Sequence, residues 1–183
     1  MSITPELDAR FRAAALAEGL VDVRYDLTES PVGELFIAST ERGLCRISYH
    51  PEGQDEQLAR IFGARVLRTP LDEVRRELDE YFEGRRREFG LPLDLRVAPF
   101  HEAVLHELAR VPYGRTETYG SLAAKVGRPR AARAVGTVMN RNPIPIILPC
   151  HRIVGANGSL TGYAGGLHVK RALLELEGAI LPS

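Results

Sequence analysis

Residues 118–152 read "TYGSLAAKVGRPRAARAVGTVMNRNPIPIILPCHR", and this stretch decides the fold. Thr118 is placed to cap a short helix, "RPR" predicts a tight turn, and "AARAVGTVMNRN" predicts a second helix. Two short helices joined by a tight turn form a helix-turn-helix pattern, which also occurs in helical domains that bind no DNA. The apolar run that starts at Ile146 predicts a short buried strand, which ends at Pro149 with Cys150 at its mouth.

The second helix of this pair is made mostly of small residues, with Arg133 near its start. Small side chains suit close approach to a narrow groove of DNA better than they suit hydrogen bonding to base edges. The pattern therefore favours contact with DNA that is independent of sequence. The alternative is a helix packed through its alanines, with Arg133 solvated.

Composition predicts a globular protein without a membrane span. Of 183 residues, 44% are hydrophobic and 26% are charged, and no apolar run approaches bilayer length. The N-terminal segment mixes acids among its apolar residues and does not resemble a secretory signal, so we expect a cytoplasmic protein. Two cysteines make no disulfide framework, and no zinc-ligand spacing is present, so we expect no metal.

A net charge of zero hides two halves of opposite sign. From Arg96 onward there are 11 Arg and Lys against 5 Asp and Glu, whereas the first 95 residues hold 13 against 19. A basic half suggests a polyanionic partner, nucleic acid first. A solvated acidic helix in the first half explains the same split, because "LDEVRRELDEYFEGRRREF" holds many of the charges.

Periodicity predicts the remaining elements. The first half contains a helix over residues 4–18 with Leu7 and Phe11 on one face, and then two strands around a Ser-Pro-Val-Gly turn. A third strand in "GLCRISYH", a helix over residues 71–82 and a short strand in "EFGLPLDLR" follow. The second half begins with a helix over residues 99–111.

The environment of Cys150 leaves two interpretations open, because a thiol is either inert core filling or, as a thiolate, a nucleophile. His151, Arg152 and the Gly-rich loop that follows could all favour the thiolate. Neighbouring side chains on an extended segment point to opposite faces, so His151 would act through a bridging water.

Several motifs in fixed order resemble one family, the O6-alkylguanine-DNA alkyltransferases. The family's Pro-Cys-His-Arg, followed by Ile or Val, is matched by residues 149–153, and "VPYGRTETYGSLAAKVGRPRAARAVGTVMNRNP" matches its helix-turn-helix at the same spacing. The similarity is strong over residues 99–178 and looser in "SPVGELFIA" and "YFEGRRREFGLPLDL". It implies an α/β fold, with a ribonuclease H-like mixed domain over residues 1–94 and a mostly helical DNA-binding domain over residues 95–183.

The resemblance also assigns catalytic roles. Cys150 would accept the alkyl group, with His151 acting on the thiol through a water and Glu177 orienting His151. Tyr119 would help guanine to leave, and Asn142 would tie the DNA-binding unit to the cysteine segment.

Two further groups are implied. Residues expected at the DNA are Arg133, which would fill the place of a flipped nucleotide, with Tyr119, Ala132, Gly136 and Arg141. The pocket that reads the base is expected to consist of Ile153, Tyr163, Ala164 and Gly165.

The expected activity is irreversible, single-turnover transfer from O6-alkylguanine, and from O4-alkylthymine, in duplex DNA. No cofactor, membrane or obligate protein partner is implied, and the protein is expected to be a monomer. Some members have Ser where Ala164 stands, which leaves the preferred alkyl size open. Other departures are Leu105 in place of a frequent Trp and Val97-Ala98 in place of Gly-Thr.

Three rival functions share parts of this sequence pattern. A lesion-binding protein without transfer would replace the acceptor Cys, which is present here. A transcriptional regulator would read an operator through a helix richer in polar side chains. A cysteine hydrolase would need an oxyanion hole, for which the sequence has no signal.

Overall fold

The N-terminal half is built on a mixed sheet. The computed structural model of the protein describes residues 4–62 and 65–181. Four strands lie in the order β3-β2-β1-β4: β1 (Val23–Thr28), β2 (Leu35–Thr40), β3 (Gly43–Ser48) and β4 (Val66–Arg68). The first three pair antiparallel, and β4 pairs parallel to β1. The predicted hairpin and third strand are confirmed, whereas β4 was not predicted because three residues carry too little periodicity.

Three helices accompany this sheet: α1 (Pro5–Ala17), α2 (Gln54–Phe62) and α3 (Asp72–Phe82). α3 buries Val74, Leu78 and Tyr81, as its apolar spacing predicts. α1 forms, but its apolar face is not covered, since Leu7 is 56% and Phe11 is 68% exposed. α2 was not predicted, although Leu58, Ile61 and Phe62 recur at helical spacing in its sequence; Leu58 is its one buried residue.

The predicted strand in "EFGLPLDLR" is wrong. The segment meets β3 only through an isolated parallel bridge, in which Leu44 donates its N–H to Pro92 O and accepts one from Asp94 N, both at 2.8 Å. Pro92 has no N–H to extend the pairing. This connection nevertheless lies along β3 and leads the chain into the second half.

The C-terminal half is mostly helical, with α4 (Pro99–Ala109), α5 (Tyr119–Lys125), α6 (Ala132–Asn140) and α7 (Leu167–Leu176). α5 and α6 form the predicted helix-turn-helix. Thr118 caps α5 as expected, because its hydroxyl oxygen accepts the N–H of Ser121 at 3.1 Å.

The predicted strand before Cys150 is also wrong. The run folds into consecutive turns, and Cys150 begins a single 3-10 turn, Cys150–Arg152. Pro143 and Pro145 before the run and Pro149 at its end remove N–H donors, and Ile146 adopts a φ of 74°, which an extended strand excludes. The backbone bonds stay local instead, as in Cys150 N–H to Leu148 O at 2.8 Å.

A short parallel pair joins the helix-turn-helix to the cysteine turn. β5 (Glu117–Thr118) precedes α5, β6 (Ile153–Val154) follows the 3-10 turn, and Glu117 pairs with Ile153. The start of α5 is thereby held beside the end of the cysteine turn. Tyr119, the first residue of α5, therefore lies on the same side of the domain as that turn.

The two halves share one hydrophobic core. A single cluster of buried side chains takes members from β2, β3, α3, α4, α6 and α7, including Leu35, Ile37, Leu78, Leu108 and Leu173. The N–H of Ile47 in β3 also donates to Pro143 O at 2.9 Å, just upstream of the cysteine turn. The domain division at residues 94 and 95 stays a prediction. No helix within the described ranges is long and apolar enough to cross a bilayer.

Candidate active site

Cys150 is buried at the start of the 3-10 turn and is held by Asn142. The amide Nδ2 of Asn142 donates to Cys150 Sγ at 3.1 Å and to Leu148 O at 2.7 Å, while its Oδ1 accepts the N–H of Ile144 at 3.1 Å. Asn142 lies two residues after the end of α6. The structure thus brings together two predicted site residues, and one side chain links the helix-turn-helix to the thiol.

His151 and Glu177 form a buried pair. His151 Nε2 lies 2.8 Å from Glu177 Oε1, and both side chains are fully shielded from solvent. The sequence separates them by 26 positions, so only the family resemblance could pair them. α7 and the turn after Leu176 carry Glu177 back beneath the 3-10 turn.

Donors surround Glu177 and keep it ionised. Arg152 donates from Nε and Nη2, both at 2.9 Å, and Tyr81 OH donates at 2.8 Å. The N–H of Gly114 adds a longer bond at 3.3 Å. Burial alone raises the pKa of this carboxyl, but the bonds from His151 and Arg152 outweigh it, and the pKa falls to about 2.

The charge of Glu177 fixes the tautomer of His151. An ionised carboxylate only accepts hydrogen bonds, so Nε2 carries the hydrogen and Nδ1 presents a lone pair. Burial lowers the pKa of His151, which keeps the ring neutral near pH 7. Nδ1 is buried and bonds to no protein atom among the described residues, so it is an available base.

A buried lysine lies close to the thiol. Lys170 on α7 is fully buried, and its Nζ donates to Ile153 O at 2.5 Å and Thr161 O at 3.1 Å. Burial lowers its pKa to about 8, so the ammonium form predominates at pH 7. Sequence analysis gave Lys170 no role, although it is one of only two lysines in the chain. It named Arg152 only as a group that could favour the thiolate, whereas the side chain of Arg152 binds Glu177.

Opposing effects act on the acidity of Cys150. Burial raises its pKa, whereas the bond from Asn142, the charge of Lys170 and a bond from Tyr163 lower it, and burial prevails. Cys45 in β3 differs, because its Sγ–H donates to Ala38 O at 3.3 Å and burial raises its pKa to about 12. Only Cys150 has the surroundings of a thiol that can be activated.

The predicted pocket residues lie in and after β6. Ile153 is buried, Tyr163 is half-buried, Ala164 is exposed and Gly165 is buried. Tyr163 OH lies 2.6 Å from the hydroxyl of Tyr49, a residue of the N-terminal half that sequence analysis assigned no role.

The predicted DNA-contacting residues divide between two depressions. A groove of about 400 Å³ is lined by Tyr119, Ala132, Arg133, Asn140 and Gly136, with Thr161 and Gly162 opposite. Thr161 Oγ1 donates to Tyr119 OH at 3.0 Å, which leaves the phenol hydrogen of Tyr119 free to donate. Arg141 lies in a separate cleft with Tyr49 and Ala164.

In the part of the chain that the structure describes, no cluster of three or more His, Cys, Asp or Glu side chains could hold a metal ion.

Comparison with known proteins identifies the relatives of this chain. Residues 23–95 match the family model described as 6-O-methylguanine DNA methyltransferase, ribonuclease-like domain. Residues 99–179 match the one described as 6-O-methylguanine DNA methyltransferase, DNA binding domain.

Individual relatives agree with these matches. A methylated-DNA--protein-cysteine methyltransferase of Mycobacterium bovis is 51% identical over 88% of this chain and 96% of its own length. A constitutive protein of the same name from Bacillus subtilis is 41% identical over 84% and 94%.

Solved structures confirm the fold. The O6-methylguanine methyltransferase of Mycobacterium tuberculosis superimposes with a TM-score of 0.77 at 39% identity, over 88% of this chain and 96% of that one. A structure of the same protein in complex with DNA gives the same TM-score. The resemblance drawn from the motifs is confirmed, and the chain belongs to the methylated-DNA–protein-cysteine methyltransferase family.

Proposed function

We propose that this protein repairs DNA by moving the alkyl group of O6-alkylguanine onto its own Cys150. The observation that carries the proposal is the setting of the thiol: Cys150 Sγ accepts a hydrogen bond from Asn142, and the charge of the buried Lys170 favours its thiolate. Both groups favour the thiolate, but burial still raises the pKa of Cys150, so a base must take its proton before it can act as a nucleophile.

Deprotonation is assigned to His151. Its Nδ1 lone pair faces no protein donor within the described chain, so a water bridging to Cys150 supplies the path, and the thiol proton passes to Nδ1. Glu177 then stabilises the imidazolium, and Arg152 and Tyr81 hold that carboxylate in place. The arrangement follows the nucleophile, base and orienter order of catalytic triads.

Transfer is a displacement at the alkyl carbon. The thiolate forms a C–S bond as the C–O6 bond breaks, and the bonding electrons leave with guanine. Guanine becomes a better leaving group if it gains a proton, for which the free O–H of Tyr119 is available. The thioether that results is not reversed by any group in the site, so each molecule reacts once. The same displacement applies to O4-alkylthymine.

The base must leave the stack before it can react, since Cys150 is buried. We assign the DNA contact to the groove between α5 and α6, approached from the minor-groove side. The small residues Ala132 and Gly136 leave this groove open to a close approach of DNA. Arg133 also lines the groove and is exposed, so it can occupy the space of the extruded nucleotide. Arg141, outside this groove, is assigned to the phosphate backbone.

The test is to incubate the protein with duplex DNA that carries O6-methylguanine and to measure the mass of the protein and of its peptides. One methyl group per molecule on the Cys150 peptide is expected, with no further turnover in excess DNA. Cys45→Ser is the matched control and should react like wild type. Cys150→Ser should bind the DNA without gaining mass.

Other outcomes identify the rivals. Tight binding to lesion DNA with no gain in mass would indicate a lesion-binding protein. Equal affinity for lesion and undamaged DNA, again without transfer, would indicate a regulatory DNA-binding protein. A parallel reaction with O4-methylthymine tests the second substrate.

A further inference from the structure

One side chain of the N-terminal half reaches the predicted pocket. Tyr49 comes directly after β3, and its hydroxyl lies 2.6 Å from that of Tyr163, 114 positions later. The two rings are 5.7 Å apart and inclined by 55°, so they also pack against each other. The contact therefore combines a hydrogen bond with apolar packing.

The ring of Tyr49 also supports the loop backbone. A Cβ atom placed on Gly165 would lie 2.8 Å from Cδ2 of Tyr49 and 3.0 Å from two more ring carbons. The loop rests on this ring so closely that no side chain fits between them. Tyr49 thus holds residues 163 and 165, on both sides of Ala164.

Tyr49 is itself anchored. Its neighbour Ser48 is the last residue of β3 and pairs with Phe36 of β2, and the N–H of Ile47 donates to Pro143 O at 2.9 Å. The sheet and the segment before Cys150 are therefore tied to the same three residues, 47–49. A shift of Tyr49 would move the pocket loop relative to the thiol.

The charge of the Cys150 thiolate acts on both tyrosines of this pair. Burial raises the pKa of Tyr49 and of Tyr163, and a negative charge on Cys150 raises both further. Both phenols are neutral near pH 7, so the bond between them persists over the working range of the protein.

We propose that Tyr49 is a positioning residue that fixes the wall formed by residues 163–165 relative to Cys150 and thereby sets the size of alkyl group that the thiol accepts. This inference rests on the proposed alkyl transfer. It gives the N-terminal half a part in substrate choice beyond support of the fold.

The variants are Tyr49→Phe, Tyr49→Ala, Tyr163→Phe and the double variant Tyr49→Phe/Tyr163→Phe. Tyr25→Phe is the matched control, because Tyr25 lies in β1 and stacks on Phe36, in the smaller core cluster away from the site. Second-order rate constants are measured with O6-methylguanine and O6-benzylguanine in the same duplex.

Tyr49→Ala should lower the rate constant for methyl transfer. It should also shift the ratio of the benzyl to the methyl rate constant at least about fivefold toward benzyl, because residues 163–165 lose the ring that supports them. Tyr49→Phe should slow methyl transfer about threefold to tenfold. Tyr163→Phe also removes a bond to Cys150 and should slow it at least as much, and the double variant should be no slower than Tyr163→Phe alone. Tyr25→Phe should leave both rates unchanged.

A second measurement does not depend on DNA. Cys150 is alkylated by iodoacetamide and by its N-benzyl derivative, and peptide mass spectrometry separates Cys150 from Cys45. Tyr49→Ala should raise the relative rate of the bulky reagent. If wild type transfers no alkyl group but this ratio still changes, the proposed function fails while the positioning role stands.

The positioning role is overturned if neither ratio changes in Tyr49→Ala, or if the two phenylalanine substitutions have additive effects. Thermal unfolding is recorded for every variant. Should Tyr49→Ala fail to fold, the cycle of phenylalanine variants decides, because its members remove only hydroxyl groups and keep both rings. A loss of stability with an unchanged ratio and additive rates would leave Tyr49 a structural residue and would refute the proposal.

Discussion

Asn142 donates both hydrogens of its amide to the cysteine segment, one to Cys150 Sγ at 3.1 Å and one to Leu148 O at 2.7 Å. Its oxygen accepts from Ile144 N at 3.1 Å, and this bond defines which way the amide faces. The same side chain therefore shapes the turn and donates to the nucleophile. The two effects are separable, since one is measured as stability and the other as acidity.

Replacing Asn142 by Ala should make Cys150 less acidic. The thiolate loses a donor that favours it, so the pKa of Cys150 rises and alkylation by iodoacetamide at pH 7.5 slows about tenfold. The pH at which the rate reaches half its maximum should shift upward. Asn140→Ala, at the exposed end of α6, is the control and should keep the wild-type profile.

Stability should fall in the same variant, because Leu148 O and Ile144 N lose their partner. A cost of about 1–3 kcal/mol in urea unfolding is expected. An unchanged pH profile together with lost stability would show that Asn142 only shapes the turn.

Motif order and helical periodicity carried most of what the sequence could predict. The helix-turn-helix depends on local signals, Thr118 as a cap and a Gly-Arg-Pro-Arg turn, which act within a few residues. The predicted strand before Cys150 failed because hydrophobicity cannot distinguish an extended run from buried turns. The prolines at 143, 145 and 149 were the available signal, and they remove the N–H donors that a strand needs.

The sequence could not predict contacts between segments that lie far apart along the chain. Tyr81 meets Glu177, and Tyr49 meets Tyr163, only when the two halves pack together, and Arg152 meets Glu177 only when α7 packs against the cysteine turn. No local sequence pattern distinguishes such tyrosines from ordinary core residues, because they stand at positions where any buried side chain would be expected. α1 shows the converse, because a helical repeat of apolar residues formed a helix whose face is not covered.

Acid should destabilise this protein through Glu177. Its pKa is about 2 in the folded state against an ordinary 4.5, so the unfolded state takes up the proton first. Stability is present in full above the ordinary value and is lost as the pH falls from about 5 to 2, by roughly 3 kcal/mol for this group. The lowered pKa of His151 also makes the folded protein less stable as the pH falls, and this loss of stability begins at a higher pH, below 6.5.

Urea unfolding as a function of pH checks this. Glu177→Gln should be less stable than wild type at pH 7 by about 3–5 kcal/mol, because Arg152 is left as an unpaired buried charge. Below pH 5, its free energy of unfolding should depend less steeply on pH than that of the wild type. Glu175→Gln, on the same helix with Arg171 nearby, should retain the wild-type slope. Equal slopes in both variants would assign the acid sensitivity to other groups.

Replacing Arg133 by Ala should weaken repair of duplex DNA without harming the fold. The side chain is exposed, so the free energy of unfolding should change by less than about 0.5 kcal/mol. Loss of a group that fills the vacated stack should slow duplex repair about tenfold or more, since extrusion costs a few kcal/mol. Reaction with free O6-benzylguanine, which needs no extrusion, should proceed at the wild-type rate.

Arg130→Ala removes a charge from the turn before α6 and serves as the control for electrostatics alone. It should weaken duplex binding with a smaller salt dependence but leave the rate at saturating DNA unchanged. If Arg133→Ala slowed the free base as much as the duplex, Arg133 would belong to the reacting site and not to extrusion.

Adding one methyl group at Gly165 should disturb the pocket wall. In Gly165→Ala the Cβ would lie 2.8 Å from the Tyr49 ring, so either the ring or the loop must shift, at a cost of about 1–3 kcal/mol. Gly162→Ala is the matched control in the same loop, because a Cβ there meets nothing within 4 Å. Thermal unfolding should separate the two variants. The disturbance should also depend on its partner: in a Tyr49→Ala background the added methyl group has space, and Gly165→Ala should then cost little. A penalty of equal size in both backgrounds would place the clash elsewhere in the loop.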